Sequence, residues 1–200
     1  LFPYTTLFRS TPSYPRDETN PEDVKAAKIA DAFFNRSFLD PAVKGEFPQE
    51  LIEIVKELAI MPEIHEGDLE LIHENTIDLL GINYYQPRRI KAKETPINHE
   101  HSPVPDDYFD NYDMPNKKMN PYRGWEIYEK GIYDILINVR DHYGNIDCFI
   151  SENGMGVENE ARFIKEDGMI HDDYRIEFVQ SHLKYVHQAI QEGARSEEHT

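Results

Sequence analysis

Apolar residues recur along the chain with two spacings, one typical of helices and one typical of buried strands. Several segments place apolar residues every three or four positions, which predicts amphipathic helices. These helices are predicted to begin near Asn20, Pro48, Asp68, Glu129 and Asp173. Asn20 is followed by proline and two acids, as is typical of a helix N-terminus, and Gly193 lies where a helix C-terminus favours glycine.

Two short apolar runs read instead as buried strands. The first is DLLGINYY, residues 78–85, and the second is IDCFISE, residues 146–152. Residues 38–50 are predicted to form a loop because they contain proline and glycine, and residues 86–124 form a long polar connection that we expect to be functional or disordered. Strands alternating with helices predict an α/β fold with a parallel sheet.

Both predicted strands end in polar side chains. Asn83, Tyr84 and Tyr85 end the first strand, and Glu152 and Asn153 end the second. Chemistry in such sheets gathers at the C-terminal ends of the strands, so a glutamate beside a tyrosine hydroxyl could act there as a nucleophile. The alternative is that Glu152 simply ends a strand at a surface turn, and the spacing does not decide between the two.

The amino-acid sequences of the two predicted strands resemble those of family 1 glycoside hydrolases, the β-glucosidase and 6-phospho-β-glycosidase family. FISENG, residues 149–154, is similar to that family's signature at the seventh barrel strand, and LLGINYY, residues 79–85, is similar to its sixth strand. The segments YPRDETNPEDVKAA, FLDPAVKGEFP and GWEIYEKGIYDIL also follow the family's order. The resemblance therefore implies a partial TIM (β/α)8 barrel that covers about strands 6 and 7 with neighbouring helices.

The resemblance also implies roles for three residues. Glu152 matches the catalytic nucleophile, Tyr85 matches the residue that hydrogen-bonds it, and Asn83 matches a substrate-binding position near the cleaved sugar. A retaining mechanism needs a second carboxyl group about 5 to 5.5 Å away. In the family that group lies in an Asn-Glu-Pro motif, and this chain contains no such motif. The resemblance therefore predicts that this polypeptide alone is inactive and poorly folded.

For the parent protein, the resemblance implies hydrolysis of a small-molecule β-glucoside without a cofactor. The sequence GINYYQPRR and the segment after Glu152 are most similar to the corresponding segments of bacterial 6-phospho-β-glucosidases. A 6-phospho-β-galactosidase and an unphosphorylated β-glucosidase remain alternatives within the class. A carbohydrate-binding relative that keeps the barrel without catalysis is the alternative outside it.

Charge and composition narrow the partners. The net charge of −17 and the pI near 4.8 argue against nucleic acid, whose binding depends on lysine and arginine. The single cysteine, Cys148, is expected in the core, and no apolar run approaches the roughly 20 residues of a membrane span. A cytoplasmic location is the default expectation. His99 and His101 match no metal-ligand spacing, so we expect no metal there.

Other conspicuous side chains have ordinary explanations beside functional ones. Trp125 could stack on a sugar or anchor packing. A basic run follows Tyr85 and could meet a sugar phosphate, although such runs usually face solvent. It comprises Arg88, Arg89, Lys91 and Lys93.

The two ends of the chain are expected to be foreign to the protein. Residues 1–10, LFPYTTLFRS, and residues 195–200, RSEEHT, match translations of common sequencing adapters. A signal-like start is the alternative for residues 1–10, but they lack a basic leader and a sustained apolar region. We therefore take residues 11–194 as a partial glycoside hydrolase domain, from a polypeptide that could be a sequencing product only.

Overall fold

The computed structural model describes residues 5–95 and 105–196, with the side chains of residues 5–9 left aside. His99 and His101 lie outside the described residues. The strands are β1 (Thr5–Arg9), β2 (Ser13–Pro15), β3 (Leu79–Tyr84), β4 (Arg88–Ala92), β5 (Phe109–Asn111) and β6 (Cys148–Asn153). The α-helices are α1 (Pro21–Asp31), α2 (Ser37–Lys44), α3 (Gln49–Glu57), α4 (Asp68–Glu74), α5 (Lys130–His142) and α6 (Asp173–Gln191).

The main sheet has the order β1-β3-β6, and both pairs of neighbours are parallel. Along β3 the side chains of Leu80, Ile82 and Tyr84 are buried in the core cluster formed with α5 and α6. Because successive side chains of a strand point to opposite faces, Asn83 faces away from these helices. This is the layered arrangement of an α/β barrel wall, with helices on one side of a parallel sheet.

A second small sheet continues beyond the main one. β2 pairs in parallel with β4, and β5 pairs antiparallel with β4. Ile90 and Phe109 pack there against the alanines of α1 in a separate core cluster. Of the two alternatives for residues 86–124, functional or disordered, disorder is therefore wrong for β4 and β5. Only Ile90 of β4 is buried and charged side chains flank it, so the apolar pattern of a strand is hidden.

The prediction of a loop over residues 38–50 is also wrong in part. A π-helical turn, Ala32–Arg36, follows α1 and leads into α2, which contains Pro41. The buried carboxylate of Asp40 accepts a 2.6 Å hydrogen bond from the Tyr143 hydroxyl and lies 3.1 Å from the Arg36 guanidinium. The local ion pair and the long-range contact with Tyr143 together hold a helix that the proline alone would disfavour.

The predicted helix signals are otherwise confirmed. The Asn20 side chain accepts a 3.0 Å hydrogen bond from the backbone of Glu22, and Gly193 has a φ of +96° after α6. Cys148 is buried, and burial raises the pKa of its thiol to about 11. This cysteine is therefore a core residue, as predicted. Among the described residues, no helix has both the length and the apolar content to cross a bilayer.

Candidate active site

The C-terminal ends of β3 and β6 bring the predicted site residues together. Asn83 of β3 lies directly opposite Glu152 of β6 in the parallel ladder, and Tyr84 lies opposite Asn153. The Asn153 amide donates a 2.8 Å hydrogen bond to the Tyr84 carbonyl, which ties the two strand ends to each other. The prediction that both strands end at one edge of a parallel sheet is confirmed.

Tyr85 contacts Glu152 at this edge. The Tyr85 hydroxyl donates a short hydrogen bond to Oε2 of Glu152, whose side chain is exposed. A hydroxyl that donates to a carboxylate oxygen fixes the orientation of the carboxylate. An oriented and accessible carboxylate can attack an electrophilic carbon, so the arrangement suits a nucleophile.

Ser151, the residue before Glu152, contacts Asn83 because of an irregularity in β6. Ile82 pairs with Ile150, whereas the next residue, Asn83, pairs with Glu152, so Ser151 is an extra residue in the ladder. The Ser151 hydroxyl donates a 2.5 Å hydrogen bond to Oδ1 of Asn83. Such bulges re-aim side chains, and they recur beside active sites.

Residues in the loop before α5 pack against Tyr85 and support it. The Tyr85 ring makes an edge contact with Trp125 at 5.9 Å, and the Arg123 guanidinium lies 5.6 Å from the centre of the Trp125 ring. Arg123 also lies against Gly156, where an added Cβ would come within 2.5 Å of its Cδ. Of the two interpretations of Trp125, the structure displays the packing contact.

The same loop is fastened to the segment that follows Glu152. The Asn120 amide donates a 2.8 Å hydrogen bond to the carbonyl of Gly156. Gly156 thus contacts Asn120 and Arg123, Arg123 contacts Trp125, and Trp125 contacts Tyr85. Asn120, Arg123 and Gly156 were not identified from the sequence as residues that support Tyr85 and Glu152, because their spacing does not indicate contacts between distant loops.

The basic run after Tyr85 is engaged within the chain. Arg89 forms a 2.6 Å ion pair with the buried Glu126, and Arg88 lies 3.7 Å from the centre of the Phe34 ring. Lys91 pairs with Glu94 at 2.8 Å and Lys93 with Asp110 at 2.9 Å. Burial lowers the pKa of Arg88. Across residues 5–95 and 105–196, no group of three or more His, Cys, Asp or Glu side chains is placed to hold a metal.

Comparison with known proteins identifies the family of the chain. Residues 4–198 match the family model described as glycosyl hydrolase family 1. The chain belongs to glycosyl hydrolase family 1. It is 66% identical over 188 residues to the 6-phospho-beta-glucosidase GmuD of Bacillus subtilis, and this match covers 94% of the chain and 40% of the relative. It is 34% identical to a bifunctional beta-D-glucosidase/beta-D-fucosidase of Bifidobacterium breve, over 86% of the chain and 38% of that relative.

Solved family 1 structures share the fold. The chain superposes on the family 1 β-glucosidase from Thermotoga maritima with a TM-score of 0.79 and 28% identity, over 96% of this chain and 39% of that one. The psychrophilic β-glucosidase BglU from Micrococcus antarcticus gives a TM-score of 0.80 with 28% identity, over 96% of this chain and 42% of that one. The chain thus spans about two fifths of the length of its family 1 relatives, and its fold is a partial α/β barrel.

Proposed function

We propose that the chain carries the nucleophile of a retaining β-glycosidase, and that Glu152 is that nucleophile. The observation that supports this most directly is the hydrogen bond from Tyr85 to Glu152 at the C-terminal edge of a family 1 sheet. Asn83, paired opposite Glu152, is proposed to bind the sugar whose bond is cleaved.

The proposed reaction proceeds in two steps. A Glu152 oxygen attacks the anomeric carbon, the glycosidic C–O bond breaks, and the leaving oxygen takes a proton from a second carboxylic acid. That second group then removes a proton from water, the water oxygen attacks the same carbon, and the ester to Glu152 breaks. The second group is proposed to come from a part of the parent protein that this chain does not contain, since the chain has no Asn-Glu-Pro motif.

The substrate proposed for the parent protein is a 6-phospho-β-glucoside. The support is the 66% identity to a protein named as a 6-phospho-beta-glucosidase, compared with 31% to a 6-phospho-beta-galactosidase of Staphylococcus aureus and 34% to the β-glucosidase/β-fucosidase. Because sugars phosphorylated during uptake are found in the cytoplasm, this substrate makes the cytoplasm the proposed location.

The test uses the full-length parent protein, expressed from its recovered open reading frame. We expect hydrolysis of an aryl 6-phospho-β-glucoside in preference to the unphosphorylated and galacto-configured analogues. A 2-deoxy-2-fluoro glycoside should leave a covalent adduct on the peptide that contains Glu152, read by mass spectrometry. Glu152→Gln should abolish both activity and labelling.

Glu158→Gln is the matched control, because Glu158 is an exposed glutamate six residues further along the same segment. It should leave both activity and labelling unchanged. Labelling of a different carboxylate, or full activity in Glu152→Gln, would refute the assignment. Sugar binding without hydrolysis would favour the non-catalytic alternative.

A further inference from the structure

The extra residue in β6 determines which side chain faces Asn83. In an unbroken register, Ser151 would lie opposite Asn83, and Glu152 would lie opposite Tyr84. The Tyr84 side chain is fully buried in the core shared with α5 and α6. Since paired residues share a face of the sheet, an unbroken β6 would direct the Glu152 carboxylate into that core.

Ser151 also holds the side chain that faces Glu152. Its hydroxyl donates a 2.5 Å hydrogen bond to Oδ1 of Asn83. On the other side of Glu152 in the sequence, the Asn153 amide donates a 2.8 Å hydrogen bond to the Tyr84 carbonyl. A carboxamide has one acceptor end and one donor end. With a lone pair of Oδ1 engaged by Ser151, the Nδ2 hydrogens are the donor groups that the Asn83 carboxamide can offer to a ligand.

We propose that Ser151 is a positioning residue with two functions, an inference that rests on the proposed function of Glu152. As the bulge residue it turns Glu152 onto the face of Asn83. Through its hydroxyl it orients the Asn83 carboxamide so that Nδ2 donates to a sugar hydroxyl next to the reacting carbon. The Ser151 hydroxyl acts only through Asn83 and touches no reacting atom.

The test compares Ser151→Ala and Ser151→Thr in the full-length parent protein, with an aryl 6-phospho-β-glucoside as the substrate. Removing one oriented hydrogen bond should lower kcat/KM about tenfold. Ser151→Thr keeps a hydroxyl at the same carbon and should restore most of the loss. In an Asn83→Ala background, Ser151→Ala should cost less than about twofold, because the side chain through which Ser151 acts is already gone.

Ser181→Ala is the matched control, since the Ser181 hydroxyl on α6 bonds the carbonyls of Glu177 and Phe178 in its own helix. It should leave kcat/KM unchanged. If Ser151→Ala fails to fold, Ser151→Cys replaces it with a side chain of similar size and a weaker donor. A loss of equal size with and without Asn83, or a loss that threonine does not restore, would overturn the positioning role.

A crystal structure of Ser151→Ala separates this inference from the proposed function. We expect the Asn83 carboxamide to leave its place beside Glu152 or to occupy two orientations. If the parent protein hydrolyses none of the glycosides, the proposed function fails and the Asn83 position alone decides the inference. An Asn83 side chain that stays in place refutes the inference, even where Glu152→Gln confirms the nucleophile.

Discussion

At the scale of single residues, the hydrogen bond between Tyr85 and Glu152 is the contact with the most direct chemical consequence. The carboxylate is exposed in the described chain, and the phenol is fixed from behind by its edge contact with Trp125. A donor held by packing can keep a carboxylate in one orientation without the cost of ordering it at each turnover.

Removing that donor gives the first prediction. In the parent protein, Tyr85→Phe should lower kcat about ten- to hundredfold, because a hydrogen bond to a charged group contributes roughly 1.5 to 3 kcal/mol. Steady-state kinetics with an aryl 6-phospho-β-glucoside would measure the change.

The matched control is Tyr133→Phe. Tyr133 donates a 2.6 Å hydrogen bond to Glu192 where α5 meets α6, so this substitution removes the same kind of contact away from the site. It should leave kcat unchanged. Equal activity in Tyr85→Phe and the wild type would contradict the orienting role of the phenol.

Glu152, Tyr85 and Asn83 could be named from the sequence because each stands at the end of an apolar run or in a recognisable motif. Ser151 could not be assigned a role in this way, since a bulge depends on which residue of the neighbouring strand it faces. Asn120 and Gly156 meet across 36 positions, and no local pattern encodes such a contact.

At the scale of elements, α5 packs tightly against the Tyr84 side chain of β3 at Gly131. A Cβ added there would lie 2.0 Å from the hydroxyl oxygen of Tyr84, which donates a 2.7 Å hydrogen bond to the carbonyl of Tyr128. Glycine is thus required in this helix for close packing, although alanine has the better helix propensity.

Gly131→Ala should therefore destabilise the parent protein by about 1 to 2 kcal/mol, because overpacking outweighs the gain of roughly 1 kcal/mol in propensity. Thermal unfolding would measure this as a lower melting temperature. Asn138→Ala tests propensity alone, since Asn138 is exposed on the same helix. A Gly131→Ala variant as stable as the wild type would show that the helix can move away from Tyr84.

His182 on α6 makes the packing of this layer sensitive to pH. Burial lowers the pKa of His182, an effect opposed by the Phe178 carbonyl 2.8 Å away and by Glu129, and reinforced by Lys118. An unfolded chain titrates its histidines near 6.5. As the pH falls below about 6.5, the unfolded state binds this proton first, so the contribution of His182 to stability is lost.

We expect the urea concentration at the unfolding midpoint of the parent protein to decrease when the pH is lowered from 7 to 5.5. In His182→Gln this decrease should be smaller. His187→Gln is the control, because His187 is exposed on the same helix. The comparison concerns the pH dependence and not the absolute midpoint, which a buried glutamine also lowers. An unchanged dependence in His182→Gln would refute the assignment.

Elements marked by a helix N-terminal signal or by a long apolar run were predictable, whereas α2, which contains a proline, and β4 were not. The helices α1, α5 and α6 and the strands β3 and β6 follow their sequence patterns closely. By contrast, α2 contains Pro41 and is held partly by the contact of Asp40 with the distant Tyr143, and β4 shows one buried apolar residue among charged ones. Local patterns carry neither kind of information.

At the scale of the whole molecule, the described chain has three parallel strands in its main sheet, too few to close a barrel. On α6, Ile176, Val179 and Leu183 are 40–52% exposed and form an uncovered apolar stripe. The outer helices of a barrel normally bury such stripes against their neighbours.

The isolated chain of 200 residues is therefore expected to be inactive and poorly folded. Purified alone, it should hydrolyse no aryl glucoside, bind a dye for exposed apolar surface and melt without a cooperative transition. The full-length parent protein is the positive control. Cooperative melting together with glucoside hydrolysis by the isolated chain would refute this expectation.

The two ends of the chain are expected to differ in origin from the rest of it. We propose that residues 1–10 and 195–200 are of adapter origin, although β1 pairs with β3, and Cys148 donates a 2.9 Å backbone hydrogen bond to Arg195. Strand pairing uses backbone groups, so foreign residues can extend a ladder. Sequencing the gene from genomic DNA should replace both segments, and finding LFPYTTLFRS encoded there would refute the proposal.

The break between the two sheets has a consequence for how such a protein can evolve. Pairing in the main sheet ends where Tyr84 lies opposite Asn153, and pairing in the second sheet begins where Arg88 lies opposite Ser13, so residues 85–87 lie outside both ladders. A register shift on one side of this gap is not transmitted to the other. Insertions and deletions after Pro87 can therefore reshape the mouth of the site over generations, while the residues around Glu152 keep their inherited positions.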